Sequence, residues 1–145
     1  MPLRTQLTDQ IKDAMRNKDT VALDALRFML SKIKNIEIEV KHELNDQEFV
    51  SAVQKEVKMR RESIEQFLKA GRKELADREQ GQLEKLVSFL PKQLSPEEVE
   101  KEIKAIVESA PVKEFNVVIR DVMAKLKGKA DGKSLADQTR KLLGQ

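Results

Sequence analysis

Residues 89–98 read Phe89-Leu90-Pro91-Lys92-Gln93-Leu94-Ser95-Pro96-Glu97-Glu98, a helix stop followed within a few residues by a helix start. Proline has no N–H to continue a helical ladder and its ring collides with the carbonyl four residues back, so Pro91 ends the helix that reaches it. Ser95 then offers a side-chain oxygen to the free amides of a new helix, and Pro96 suits the first helical position. Glu98, three residues after the cap, can reach back to complete a capping box. Each side of this break carries a helical pattern that closes its own apolar face. The expected fold is all-α and multihelical, in two subdomains. Residues 1-92 form an N-terminal helical hairpin region, and residues 95-145 a small C-terminal three-helix bundle.

Working back from the break, Leu75, Leu83, Leu86 and Leu90 line one face of a helix over 72–90. Gly71 ends the helix before it, so the two should form a hairpin. That earlier helix starts at Asn45, with Glu48 three residues on, and turns Val50, Val53, Val57, Ile64, Phe67 and Leu68 inward. Its other face carries Lys55, Lys58, Arg60 and Arg61, with Glu56 four residues before Arg60 and Glu65 four after Arg61, the spacing at which helical ion pairs form. Gly81 disfavours its helix by about 1 kcal/mol relative to alanine, which suggests a close approach or a local weakness. Further back, Leu26, Met29, Ile33, Ile36 and Val40 step by three and four behind a cap at Asp19 or Thr20. Leu3, Leu7, Ile11 and Met15 stripe a short first helix ending around Asn17.

Working forward, Val99, Ile103, Ile106 and Val107 give the buried face of the helix that Ser95 caps, and Pro111 breaks the chain again. Phe115, Val118, Ile119, Val122, Met123 and Leu126 then recur at helical spacing, which decides against a strand at Val117-Val118-Ile119. The next residues are Lys127-Gly128-Lys129-Ala130-Asp131-Gly132-Lys133-Ser134. Gly128 supplies a left-handed residue to end the helix, and Asp131 can cap a last one whose apolar face is Leu135, Thr139, Leu142 and Leu143. Lys133 falls in the first turn of that last helix, where the macrodipole disfavours a cation. A phosphate held by the free amides and by Lys127, Lys129 and Lys133 would supply the missing negative charge; a solvated lysine-rich loop is the plainer alternative.

Composition narrows the classes. The chain has 145 residues, 39% hydrophobic and 37% charged, enough to bury a core. Its formal net charge of +3 permits polyanion binding without demanding it. Distribution says more: residues 95 to 112 hold two basic against five acidic side chains, residues 113 to 145 eight against four. With no cysteine there is no disulfide and no thiolate metal site, and the opening residues lack the apolar core of a secretory signal. A cytoplasmic setting is expected. No apolar run approaches the roughly 20 residues of a membrane helix, so no membrane partner is expected.

No catalytic constellation emerges. His42 is the one histidine and sits among glutamates at an expected helix end, so neither a nucleophile–base pair nor a metal site can be built on it. There is no P-loop and no dinucleotide fingerprint. No catalytic residue, metal or cofactor is assigned. Tyr and Trp are absent and the phenylalanines fall mostly near apolar faces, which argues against stacking on single strands. Nucleic-acid binding would have to read phosphates and shape, as with folded RNA.

Leu26-Arg27-Phe28-Met29-Leu30-Ser31-Lys32-Ile33-Lys34-Asn35-Ile36-Glu37-Ile38-Glu39 and Lys55-Glu56-Val57-Lys58-Met59-Arg60-Arg61-Glu62-Ser63-Ile64 resemble hallmarks of YqeY-like proteins. So do residues 70–76, 89–95 and 127–133, in the same order, so that the resemblance covers nearly the whole chain. It departs at Asn116, Ile119 and Gly81-Gln82. The family is grouped with the tail of the B subunit of the glutamine-dependent tRNA amidotransferase. In that enzyme the tail helps hold tRNA, and amide chemistry takes place on domains that have no counterpart here.

The resemblance implies an all-helical fold of two subdomains and a helical tRNA- or RNA-binding protein. Its nucleic-acid-binding residues would be Gly128, Lys129, Asp131, Gly132 and Lys133, with Lys127 added on the charge argument above. A carbon–nitrogen ligase label with glutamine as amide donor would be inherited from the larger enzyme. The alternative is a protein–protein adaptor that takes a partner between the two subdomains.

Overall fold

Side chains at helical spacing, punctuated by caps and left-handed residues, give seven α-helices among the described residues. The computed structural model describes residues 2–144 and assigns α1 (Leu3–Arg16), α2 (Thr20–Val40), α3 (Asp46–Lys69), α4 (Lys73–Val87), α5 (Pro96–Ser109), α6 (Phe115–Leu126) and α7 (Gly132–Leu142). The fold is all-α, with no strand among the described residues. By its internal contacts the chain divides into Met1–Leu90 and Pro91–Gln145.

In the first unit the Asp19 side chain caps α2 by accepting from Ala22 N–H at 3.1 Å. Asn45 and Glu48 form a reciprocal capping box on α3. The α3–α4 turn is closed at Gly71, φ +73°, where Arg72 N–H bonds Phe67 O at 2.7 Å and Gly71 N–H bonds Leu68 O at 3.1 Å. Those are the two bonds of a Schellman ending, which needs a left-handed residue after the cap. Leu7, Leu26, Met29, Ile33, Phe49, Val53 and Leu86 make the core, and Phe49 and Phe89 pack with ring centroids 6.0 Å apart.

Several details depart from the spacing argument. α3 buries Phe49, Ala52, Val53, Glu56, Val57 and Arg60, whereas Val50 is half-buried and Leu68 is exposed. Met15, Leu75 and Phe28 are exposed too. The stripe includes two charged residues, which an apolar count passes over. Arg60 donates through Nε to Glu56 at 3.1 Å, and through one terminal nitrogen to Glu79 at 3.1 Å and Gln82 at 2.5 Å. Gln82, one of the departures from the family pattern, therefore serves as a buried acceptor. Glu65 pairs with Lys69 instead of Arg61. Gly81 makes no tight approach, since a Cβ there would meet Val21 Cγ1 at 3.5 Å, an ordinary contact. α4 stops at Val87, ahead of Pro91, because two successive turns, Leu86–Phe89 and Val87–Leu90, take over its hydrogen bonds.

The second unit is a three-helix bundle. Ser95 and Glu98 close the expected capping box with Pro96 at the start of α5. Val99, Ile103, Val118, Val122, Leu126 and Leu135 are almost entirely buried together. Lys113 Nζ donates to the last carbonyls of α5, at 3.2 Å to Glu108 O and 2.9 Å to Ala110 O. A cation there complements the helix C-terminus.

Candidate nucleic-acid interface

The lysine loop is built by a turn and a cap. α6 ends at Leu126, and Lys127 adopts φ −56°, ψ 128°. Gly128 follows at φ +85°, and Lys129 N–H bonds Leu126 O at 2.9 Å. This is a type II turn, whose third residue needs the positive φ that glycine supplies without strain. Asp131 then caps α7, accepting from Ser134 N–H at 3.3 Å while its carbonyl accepts from Leu135 N–H at 3.0 Å. The first amides of α7, those of Gly132 and Lys133, have no acceptor within the helix. Lys127, Gly132 and Lys133 are exposed, Lys129 and Asp131 half-buried, and Gly128 buried.

The segment before α5 braces this loop from behind. Gln93 Nε2 donates to Gly128 O at 2.6 Å and to Pro91 O at 2.8 Å. Leu94 N–H donates to Lys129 O at 2.9 Å. Residues 89–95 and 127–133, two stretches of the family resemblance, are thereby partly brought into contact. Nothing in sequence pairs Gln93 with a backbone carbonyl thirty-five residues away.

Charge around the loop is also richer than the three lysines. On the α5 side, Lys125 Nζ lies 2.9 Å from Glu102 Oε2. The bond from Lys125 lowers the Glu102 pKa below its ordinary value, helped by the charge of Lys125 and, less strongly, of Lys129 and Lys101. Lys125 is thus the direct partner of this carboxylate. The sequence shows this charge as basic excess over 113–145, but its apolar pattern on α6 does not mark the pairing of Lys125.

The other candidate features fall elsewhere. Arg60 of the basic cluster is buried in its network, while Lys55, Lys58 and Arg61 are exposed and take part in none of the ion pairs found among the described residues. His42 is exposed, its Nδ1 2.9 Å from Glu43 O and its Nε2 3.7 Å from Glu48. Among the described residues no group of three or more His, Cys, Asp or Glu side chains is placed to hold a metal ion, and no helix is long and apolar enough to cross a membrane.

Fold and site together define a small all-helical protein whose C-terminal three-helix unit presents a braced, lysine-bearing loop. The chain belongs to the YqeY-like family, which it matches over residues 4–143. It is 31% identical to "Altered inheritance of mitochondria protein 41, mitochondrial" of Vanderwaltozyma polyspora, over 83% of this chain and 66% of that one. The protein of the same name in Pyrenophora tritici-repentis is 30% identical over 96% of this chain and 80% of its own length. That of Saccharomyces cerevisiae is 31% identical over 89% and 70%. This chain therefore spans just under two thirds of the first of these relatives. Their names overturn the cytoplasmic setting expected from composition, since these relatives are mitochondrial proteins. Lack of cysteine excludes a disulfide scaffold, but it does not choose among compartments where such scaffolds are unused.

Proposed function

We propose that this protein binds structured RNA, transfer RNA foremost, through the phosphates that its C-terminal unit can reach. The observation that carries the reading is the lysine loop itself. Lys127 is exposed on a turn whose backbone is held by Gln93 and Leu94, and Lys133 is exposed on the helix start that Asp131 caps just after it. A fixed backbone presents its cations without a large ordering cost on binding, which favours a shaped polyanion over a flexible one. The aromatic side chains offer no row of stacking platforms, so recognition rests on phosphate and shape. The resemblance to the amidotransferase tail supplies tRNA as the first RNA to try. No amide-forming activity is part of the proposal, because the residues supply no nucleophile–base pair.

The adaptor reading retains one observation in its favour: Phe28, Met59, Leu68 and Leu75 are exposed apolar side chains in the first unit. The discriminating experiment recovers RNA and protein bound to the tagged chain in its native host, with binding of tRNA and of an unstructured RNA of equal length measured alongside. RNA reading predicts enriched structured RNA and tighter binding of tRNA. Recovery of a stoichiometric protein without RNA, and equal weak binding of both RNAs, would favour the adaptor.

A further inference from the structure

Glu102 lies on α5 and pairs with Lys125, which stands on α6 two residues before the lysine loop begins. Its Oε2 is 2.9 Å from Lys125 Nζ, and both side chains are substantially solvent-accessible, 39% and 57% exposed. An exposed ion pair of this kind is weak, because water screens it and two long side chains must be held in one geometry. A phosphate oxygen can therefore exchange for the carboxylate on Lys125. Lys129 and Lys101 also act on Glu102, and the Lys129 backbone is fixed through Leu94 N–H. Exchange would free Lys125, which stands in the last turn of α6 directly before the lysine loop. A single phosphate would gain one ammonium and face the displaced carboxylate, whereas consecutive phosphates could use Lys125 and the loop together.

We infer that Glu102 is a competitive brake on the polyanion surface, which holds Lys125 until consecutive RNA phosphates displace it. This rests on the RNA-binding reading above and adds Lys125 to the binding surface, with Glu102 setting its selectivity. Glu102 remains ionised at neutral pH, since its neighbours favour the charged form. Removing its charge should strengthen binding only if Lys125 is there to use. That dependence separates a brake from a general loss of negative charge.

The test is a double-mutant cycle with bulk transfer RNA as probe and the full chain throughout. Glu102→Gln should bind up to about fivefold tighter, the factor matching the upper end of an exposed ion pair. Lys125→Gln should weaken binding and lower the logarithmic salt slope by about one unit. In the Lys125→Gln background, Glu102→Gln should give little gain, and Glu100→Gln, an exposed glutamate on the same helix, should give little in any background. Unchanged or weaker binding by Glu102→Gln, or a gain that persists without Lys125, overturns the brake. If neutralising Lys127, Lys129 and Lys133 weakens binding while Glu102→Gln has no effect, the brake alone fails. If neither change alters binding, the RNA reading fails and the brake with it. A thermal-unfolding measurement on each variant separates loss of binding from loss of fold.

Discussion

Arg60 is only 8% exposed and donates to three acceptors, with its guanidinium 5.3 Å from the Phe28 ring centroid. Its partner Glu56 is 5% exposed, and the Glu56 oxygen that does not face Arg60 has no hydrogen-bond partner among the described residues and lies 3.6 Å from Lys32 Nζ. Truncating one member of a buried pair leaves a charge without compensation, a loss of about 3–5 kcal/mol. Arg60→Ala should fall at the lower end because Lys32 remains, and pairing it with Glu56→Gln should restore part of the stability. Chemical denaturation followed by circular dichroism reads both. If Arg60→Ala unfolds at the parent's denaturant midpoint, the network is decorative.

Glu37 gives a pH dependence. Its carboxylate accepts from Arg4 and from Leu44 N–H, and its pKa is lowered first by the Arg4 bond, then by the Leu44 bond, against a smaller effect of burial. A depressed folded-state pKa means that the ionised form stabilises the fold above the unfolded-state value, and that this is lost as pH falls through the folded-state value. Glu37→Gln should therefore be less stable than the parent at neutral pH. The difference should shrink below about pH 4, the ordinary glutamate range. A difference that grows on acidification would contradict the assignment. Gly81→Ala should in turn stabilise by roughly 0.5–1 kcal/mol, since alanine is the better helix former and the space beside Val21 accepts a methyl group. A lower melting temperature would show that the helix yields there for another reason.

At the scale of elements, the turn and cap that join α6 to α7 carry the candidate site, and each depends on one residue type. Asp131→Ala should reduce stability by about 1 kcal/mol through loss of the cap. Asp131→Asn should restore most of it, with amide exchange at Ser134 following the same order. Equal exchange in all three would mean that the cap is not formed in solution. Caps and stops were the legible part of this fold. Asn45–Glu48, Gly71, Ser95–Pro96–Glu98, Gly128 and Asp131 act locally, so their chemistry is visible within four residues.

Faces were harder to read. On α3 the true stripe runs through Phe49, Val53, Glu56 and Arg60, and the charged members are buried only because acceptors on α4 meet Arg60. No local signal reports that. Lys55, Lys58 and Arg61 show the same limit in reverse, since spacing allowed helical pairs for the cluster and only Arg60 formed one there. For the site, the loop and its lysines could be found in sequence, whereas the Gln93 brace and the Glu102–Lys125 pair required tertiary proximity.

At the scale of the molecule, the central claim is that a positioned set of lysines, rather than diffuse positive charge, meets RNA phosphates. Because Lys55, Lys58 and Arg61 are also exposed cations, they form a rival basic surface of equal charge and make a demanding comparison. The most direct measurement is the salt dependence of tRNA affinity for the parent, for Lys127, Lys129 and Lys133 replaced by Gln, and for Lys55, Lys58 and Arg61 replaced by Gln. Each phosphate contact contributes roughly 0.7 to 0.9 to the logarithmic slope, so the loop variant should lose up to about two to three units and the α3 variant little. A loop variant that binds as tightly as the parent with the same slope, or an α3 variant that loses as much, would contradict the account.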